Sequence, residues 1–160
     1  MFGGVAILAN DEFFAEKDNL LRAHAAVWKE HEYTDRGKWM DGWETRRRRD
    51  QGNDWIRYRL VDRSQIRAIE IDTAYLKGNS AGWASVSVRD GEDGEWREVL
   101  PRTRMQPDTN HRFVLPEPAV GTHARVDIFP DGGISRLRLF GSLTEDGAAR
   151  LAARHQELGG

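Results

Sequence analysis

The sequence has no cysteine and no excess charge of either sign. The lack of cysteine excludes disulfides, thiolate nucleophiles and cysteine-ligated metals, and it agrees with a reducing cytoplasm. With 24 basic and 26 acidic residues, the chain has no positive field to hold nucleic acid or an anionic membrane. It contains no apolar run of membrane-spanning length, and its start does not resemble a signal peptide. We therefore expect a cytoplasmic protein that binds neither nucleic acid nor membranes.

Histidine gives little indication of a metal site. The five histidines include no HxH or HExxH spacing, the patterns by which paired imidazoles hold a metal. His111 lies beside a predicted strand, where it is either a catalytic group or an ordinary half-buried residue.

Apolar residues recur at every second position in the second half of the chain, which is the period of β-strands. Ile69 and Ile71, for example, alternate with Ala68, Glu70 and Asp72. Turns rich in glycine, aspartate, asparagine and proline separate these runs. Antiparallel sheets with one buried face pack in pairs. The pattern predicts an all-β, jelly-roll-like β-sandwich, and a length of 160 residues suits one domain, 1–160.

Two regions depart from this pattern. The alanine-rich, arginine-bearing tail predicts one short amphipathic helix at about 144–157, which Thr144 can cap. Segment 19–52 is polar, aromatic and poorly periodic, so we expect long loops over the sandwich. Long ordered loops in a compact domain are often functional.

The outward faces of the central strands are expected to be charged. If the alternation holds, opposite charges lie side by side as ion pairs on a wetted sheet, each worth a fraction of a kcal/mol. The residues concerned are Arg57 and Arg59, Glu70 and Asp72, Arg125 and Asp127, and Arg136 and Arg138.

The densest polar cluster is segment 38–49, which places two carboxylates among two tryptophans and four consecutive arginines. One interpretation is a solvated edge with surface ion pairs. The other is a site in which arginine forks bind a planar carboxylate or carbonyl group while Asp41 or Glu44 handles a proton or a metal. The tryptophan rings would exclude water from such a site.

Three further segments carry weaker indications. Segment 52–55 precedes a predicted strand, segment 72–79 runs from a strand end into a Gly-Asn turn, and segment 130–138 is a tight turn followed by a strand with basic outward residues. Turn formation alone accounts for each of them.

Several motifs together resemble one repeat of the allantoicase family. They are DEFFA and NLL near the start, RGKWMDGWETRRRR, DW, IDT followed by GN, LPRT and PDGGISRLRLFG, in the family's order and at its approximate spacing. The resemblance covers roughly residues 4–141. It implies a jelly-roll-like sandwich of the galactose-binding type.

The family's reaction adds water to allantoate, which carries a carboxylate and two ureido groups on one carbon, so that urea leaves and ureidoglycolate remains. The resemblance therefore implies a hydrolase acting on C–N bonds of linear amidines. A related ureido compound as substrate, and a divalent metal such as Mn²⁺ as cofactor, stay open. The alternative is a non-catalytic ligand-binding sandwich, because this fold type hosts many binding modules.

The resemblance also implies roles for particular residues. Asp41, Glu44 and Asp54 are implied to handle protons or contact a metal, and His111 joins them as a catalytic candidate. Guanidinium groups suit the substrate's carboxylate or carbonyl, whereas amide and carboxyl groups suit ureido hydrogen bonds or loop geometry. The implied substrate-binding residues are Trp43, Arg46, Arg48, Asn79, Asp131 and Arg136.

The chain departs from the family pattern at two turns. Asn53 stands where the family has histidine, so a titratable group is replaced. Ser80 and Ala81 stand where the family has Tyr-Pro, which changes a loop. Family members carry two such repeats in tandem, whereas this sequence has one. We therefore expect two copies to pair as a homodimer or a higher homo-oligomer.

Overall fold

Ten strands, one short 3₁₀ helix and one α-helix make up the computed structural model, which describes residues 4–159. The strands are β1 (Val5–Ala9), β2 (Tyr33–Thr34), β3 (Gly37–Lys38), β4 (Trp43–Glu44), β5 (Asp54–Asp72), β6 (Trp83–Arg89), β7 (Arg97–Arg104), β8 (Asn110–Phe129), β9 (Gly133–Ile134) and β10 (Arg136–Leu143). The 3₁₀ helix spans Lys17–Leu21, and helix α1 spans Glu145–Gly159.

The two longest strands, β5 and β8, run through both layers of the sandwich. They pair antiparallel with each other, with register shifts between Arg59 and Ser64 and between Ile66 and Ala68. The first part of β5 also pairs with β1, and the matching part of β8 pairs with β6, which pairs with β7. The second part of β5 pairs with β10. One continuous ladder thus forms both layers, which confirms the predicted all-β sandwich.

The core lies between the two layers and contains the alternating residues that the sequence indicated. Ile69 and Ile71 of β5, and Val126 and Ile128 of β8, are at most 1% exposed. They belong to a single cluster of buried residues that draws on both layers. Burying each such side chain contributes about 1.5–3 kcal/mol to folding.

The C-terminal helix confirms the predicted cap and ends two residues beyond the predicted span. Thr144 Oγ1 accepts a hydrogen bond from the backbone N–H of Gly147 at 3.1 Å, which satisfies one donor of the first turn. Arg150 Nη2 lies 2.8 Å from Asp62 Oδ1 and ties the helix to β5. Within residues 4–159, no helix has the length and apolar character that crossing a bilayer requires.

Segment 19–52 consists mostly of loops, as expected. Its regular parts are the end of the 3₁₀ helix and the three two-residue strands β2, β3 and β4. The loop before β4 passes over β10. This passage buries Arg136, which is 1% exposed. The prediction of a wetted face at Arg136 is therefore wrong, and the covering loop is the reason.

Arg136 forms a buried ion pair with Asp41 that fastens this loop to β10. Arg136 Nη2 lies 2.8 Å from Asp41 Oδ2, and Nε donates to the carbonyl of His24 at 3.0 Å. The backbone N–H of Val27 donates to the same carboxylate at 3.0 Å. Burial alone would raise the pKa of Asp41, but the bonds from Arg136 and Val27 hold this pKa below its ordinary value. Both charges are therefore compensated inside the protein.

Replacing Arg136 with methionine is expected to lower the free energy of unfolding by about 3–5 kcal/mol, because Asp41 is left buried without its partner. Equilibrium urea unfolding measures the loss. Arg112→Met is the control, since the Arg112 side chain is 77% exposed and its surface pair with Glu70 is worth about 1 kcal/mol or less. Equal losses in the two variants would contradict the assigned role of the buried pair.

Candidate functional site

A cleft of about 610 Å³ opens beside the short strands β3 and β4. One wall comes from the loop that covers β10, and the other comes from the segment that follows β5. Met40 in the lining belongs to a small apolar cluster with Ala15 and Leu76, separate from the main core. The lining residues are Phe14, Trp28, Gly37, Lys38, Trp39, Met40, Glu44, Tyr75, Lys77, Gly78 and Asn79.

The turn before β9 brings the polar groups of the cleft together. Glu44 of β4 is paired with Gly133 of β9. The N–H of Gly133 donates to the carbonyl of Asn79 at 2.9 Å. Gly132 has φ +114°, and a Cβ there would lie 2.8 Å from that same carbonyl. Because only glycine suits this conformation and this close approach, the turn allows three distant segments to meet.

Glu44 and Asn79 form the polar centre of the cleft. Asn79 Nδ2 donates to Glu44 Oε1 at 2.6 Å, and Glu44 is 9% exposed. Among residues 4–159, no lysine, arginine or histidine lies within ion-pair distance of this carboxylate. Burial raises the pKa of Glu44, and the hydrogen bond from Asn79 opposes that rise only in part. A carboxyl with a raised pKa is suited to giving and taking protons near neutral pH.

Aromatic and cationic side chains complete the walls. Trp28 and Tyr75 stack with ring centroids 6.0 Å apart. The ammonium group of Lys38 lies 4.7 Å from the Trp28 ring centre and donates to backbone carbonyls of the covering loop. Lys77 is exposed, and no acceptor within residues 4–159 binds its ammonium group. Lys77 is therefore the cation available to an anionic ligand.

Tyr75 has a strained backbone at the edge of the cleft. Its φ is +66°, a region that large side chains rarely adopt. The side chain of Asp108 holds this conformation by accepting the Tyr75 N–H at 2.8 Å. Strain of this kind persists where the surrounding structure fixes it, and it is frequent at functional sites.

Of the residues predicted from the sequence, Glu44 and Asn79 line the cleft and the others lie elsewhere. Trp43 is fully buried, and its Nε1 donates to the carbonyl of Asp11 at 2.8 Å. Arg46 is an exposed partner of Asp11, at 3.2 Å, and stacks on Phe13. Both residues fasten the chain start to β4.

A second group forms around Arg48. Its Nη1 lies 2.6 Å from Asp54 Oδ1, and its backbone N–H donates to Asp131 at 2.7 Å. Asp54 is 1% exposed. These three residues join the start of β5 to the turn before β9. They support the scaffold of the cleft without lining it.

His111 and the Asp41–Arg136 pair are also bound within the protein. His111 Nδ1 donates to the carbonyl of Ile71 at 3.0 Å, and Nε2 accepts the N–H of Gln106 at 2.9 Å. With both ring nitrogens occupied by backbone, His111 stabilises the end of β5 in this structure. Arg136 and Asp41 contact each other below the covering loop, and neither lines the cleft.

Three residues that line the cleft were not predicted as site residues from the sequence: Trp28, Tyr75 and Lys77. The only signal for the last two was the Gly-Asn turn at 78–79, which placed a loop next to the strand end. Trp28 carried no signal, because nothing in a poorly periodic loop shows which sheet edge the loop covers.

The cleft does not provide a preformed metal site. Within residues 4–159, no three histidine, aspartate or glutamate side chains lie close enough together to hold a metal ion. The neighbour of Glu44 is the amide of Asn79, which donates a hydrogen bond to Oε1.

Comparison with known proteins gives a consistent family. A family model described as the allantoicase repeat matches residues 1–144. A probable allantoicase of Streptomyces coelicolor is 94% identical over 123 residues, which are 77% of this chain and 33% of that protein. The crystal structure of allantoicase from Saccharomyces cerevisiae has a TM-score of 0.75 at 33% identity and covers 87% of this chain and 45% of its own.

Carbohydrate-binding modules share the architecture. A family 32 module from Clostridium perfringens, solved in complex with galactose, has a TM-score of 0.64 at 10% identity and covers 85% of this chain and 92% of its own. This likeness confirms the galactose-binding-like fold and nothing more. The chain spans between a third and a half of the length of the two allantoicases above.

Glu44→Gln is expected to change how stability depends on pH. Folded Glu44 holds its proton more tightly than the unfolded residue, whose pKa is 4.5. The free energy of unfolding of the parent protein therefore falls as the pH rises from that value through the raised pKa. The glutamine variant lacks this fall, so at neutral pH it should be at least as stable as the parent.

Urea unfolding across this pH range, between about pH 4 and pH 8, measures the effect. Glu98→Gln on β7 is the control, because Glu98 is exposed and its replacement should leave the pH profile unchanged. A stability gap between the parent and the Glu44 variant that is constant with pH would contradict a raised pKa.

Proposed function

The chain belongs to the allantoicase family, and on that premise we propose that it hydrolyses allantoate, releasing urea and leaving ureidoglycolate. The observation that carries the proposal is the buried carboxyl of Glu44, which is hydrogen-bonded to Asn79 inside an aromatic cleft. The reaction needs a group that can take a proton from water and return one to the leaving nitrogen. We place this activity in the cytoplasm, in agreement with the absence of cysteine.

The proposed steps use a single carboxyl group. The Glu44 carboxylate accepts a proton from a water molecule as the water oxygen bonds to the central carbon of allantoate. Because a saturated carbon cannot hold a fifth bond, the bond from that carbon to one ureido nitrogen breaks in the same step, and Glu44 returns the proton to this nitrogen. Urea leaves, the hydroxyl remains on the carbon, and Glu44 ends as a carboxylate. Asn79 holds Oε1 throughout, which directs Oε2 toward the reacting atoms.

Lys77 and the aromatic walls would position the substrate. The substrate's carboxylate requires a cation, and Lys77 is the lysine of the cleft without an acceptor in residues 4–159. The stacked rings of Trp28 and Tyr75 form an apolar wall, which excludes water that would compete for hydrogen bonds.

Asn53, which stands where the family has histidine, does not lie in the cleft, so this difference removes no group from it. Its Nδ2 donates to Asp127 Oδ1 at 3.0 Å and to the carbonyl of Asp54 at 3.1 Å. Asn53 therefore supports the start of β5 and does not line the site. A histidine at this position would lie in the same supporting group, so the asparagine does not argue against the proposed reaction.

The decisive assay incubates the purified protein with allantoate and follows urea release. Glu44→Gln should lower kcat by a factor of about 10²–10⁴, the usual contribution of a general acid–base group, while Glu98→Gln retains the parent's rate. Parallel reactions with Mn²⁺ and with a chelator test whether a divalent metal from solution assists. Absence of urea release from folded protein in every arm would favour the non-catalytic ligand-binding alternative.

We further propose that two copies of the chain associate through the edge strand β1. Val5, Ile7 and Leu8 are between 46% and 49% exposed, and no strand within residues 4–159 pairs with the outer side of β1. An apolar unpaired edge is a ready template for a second chain.

Size-exclusion chromatography with light scattering should therefore give the mass of two chains. Ile7→Lys should shift the mass to that of one chain, because it places a charge in the apolar contact. Val114→Lys is the control, since Val114 is 85% exposed on another strand. A single-chain mass for the parent protein at assay concentration would reject the proposal.

A further inference from the structure

The outer face of the larger layer carries a cluster of three arginines and two tryptophans, which we call the arginine–tryptophan face. It consists of Arg57, Arg89 and Arg125 with Trp55 and Trp96. Arg57 and Arg125 are directly opposite each other on β5 and β8. The guanidinium groups of Arg57 and Arg125 lie 4.7 Å and 4.9 Å from the Trp55 ring centre, and that of Arg89 lies 4.6 Å from Trp96.

The face has more positive charge than its own carboxylates compensate. Asp127 accepts two hydrogen bonds from Arg125, each of 2.9 Å, and one from Asn53. Within residues 4–159, no carboxylate pairs with Arg57 or Arg89. Like charges directly opposite on neighbouring strands destabilise a sheet. The layout therefore concentrates positive charge that Asp127 offsets only in part.

Both unpaired arginines also have donors shielded from water. The Nε atoms of Arg57 and Arg89 are buried and have no hydrogen-bond partner within residues 4–159. A buried donor without an acceptor costs about 1–3 kcal/mol, and more when it is charged. Burial first, and then the neighbouring Arg125 and Arg89, lower the pKa of Arg57. The geometry and the electrostatics thus agree that an acceptor is missing here.

Stacking on tryptophan does not by itself explain these unpaired donors. Arg102 and Arg104 stack on Trp83 at 5.6 Å and 5.5 Å, on the neighbouring strand β7. Both are more exposed than Arg57 and Arg89. The chain therefore builds ordinary cation–π stacks without enclosing donors, and the arginine–tryptophan face differs from them.

We propose that the arginine–tryptophan face binds a small oxyanion, a carboxylate or a phosphate, between Arg57 and Arg89. The indole rings cover the flat faces of the guanidinium groups and the Nε atoms are enclosed, so the Nη donors remain for recognition. These edges match the oxygens of a carboxylate or phosphate in bidentate geometry. The bound charge offsets the repulsion among the three arginines. None of these residues lines the cleft that holds Glu44, so this site is separate from it.

Tryptophan fluorescence is the direct test, because Trp55 and Trp96 stack on the arginines that bind the ion. Sodium phosphate and sodium malonate are titrated separately at low ionic strength, and either ion should give a saturable change in emission. Arg57→Gln and Arg89→Gln should each weaken binding at least tenfold. Arg102→Gln removes the same charge from an exposed stack and should leave binding unchanged. The stronger of the two ions identifies phosphate or carboxylate as the preferred class.

Stability without added ions separates a binding role from a structural one. If the face is built for an anion, Arg57→Gln removes repulsion and a buried unpaired donor, so its melting temperature should equal or exceed that of the parent. If the cluster serves only to hold strands together, the same change lowers the melting temperature, and the proposal is overturned.

A second variant at Arg57 completes the test. Arg57→Lys keeps the charge but loses the planar fork, so it should fold like the parent and bind the ion more weakly. Lack of a saturable response to both ions in the parent protein would overturn the proposal. A response that Arg102→Gln weakens as much as Arg57→Gln would do the same, since it would show only a general effect of net charge.

Discussion

The buried ion pair between Asp41 and Arg136 is the interaction on which the site side of the molecule depends. The two residues are 95 positions apart in the chain, and together they fasten the long loop before β4 to β10. This loop has little regular structure of its own, since its strands are two residues long. Its place over the sheet therefore relies on Arg136, whose donors reach Asp41 and His24, and on Arg138, which donates to the carbonyls of residues 22, 23 and 24. The positions of Trp28 and Lys38 in the wall of the cleft depend on this attachment.

The glycine turn before β9 brings together the remaining segments of the cleft. β9 is paired with β4, and its first residue binds the carbonyl of Asn79. Three segments, each far from the others in sequence, thereby meet at one point. Glu44 gains a neutral donor there and no cation, so its carboxyl is enclosed with its pKa raised. The fold thus encloses one carboxyl without a cation beside it, whereas Asp41 and Arg136 compensate each other's charge.

The periodic parts of the sequence predicted the fold well, whereas the site was predicted only in part. The burial of Ile69 and Ile71 could be predicted, because side chains in a strand alternate between the two faces of the sheet. The cap at Thr144 could also be predicted, because it depends only on residues next to it in sequence. Glu44 and Asn79 were identified through motifs, but Arg136 was expected to meet the substrate and instead binds Asp41. Local pattern cannot show which loop will cover a strand, and that long-range contact decides whether an arginine faces a ligand or the protein.

The buried charges of this chain fall into two groups that differ in their partners, and the difference indicates which of them serve binding. Arg136 and Asp41 compensate each other's charge, although Asp41 Oδ1 has no hydrogen-bond donor of its own. Glu44 has one neutral donor, and Arg57 and Arg89 have no carboxylate partner within residues 4–159. Single buried atoms without a hydrogen-bond partner therefore occur in both groups, and what distinguishes the second group is the lack of an opposite charge. A ligand of opposite charge is the partner that we propose for the two arginines, because enclosing an unpaired charge otherwise only lowers stability.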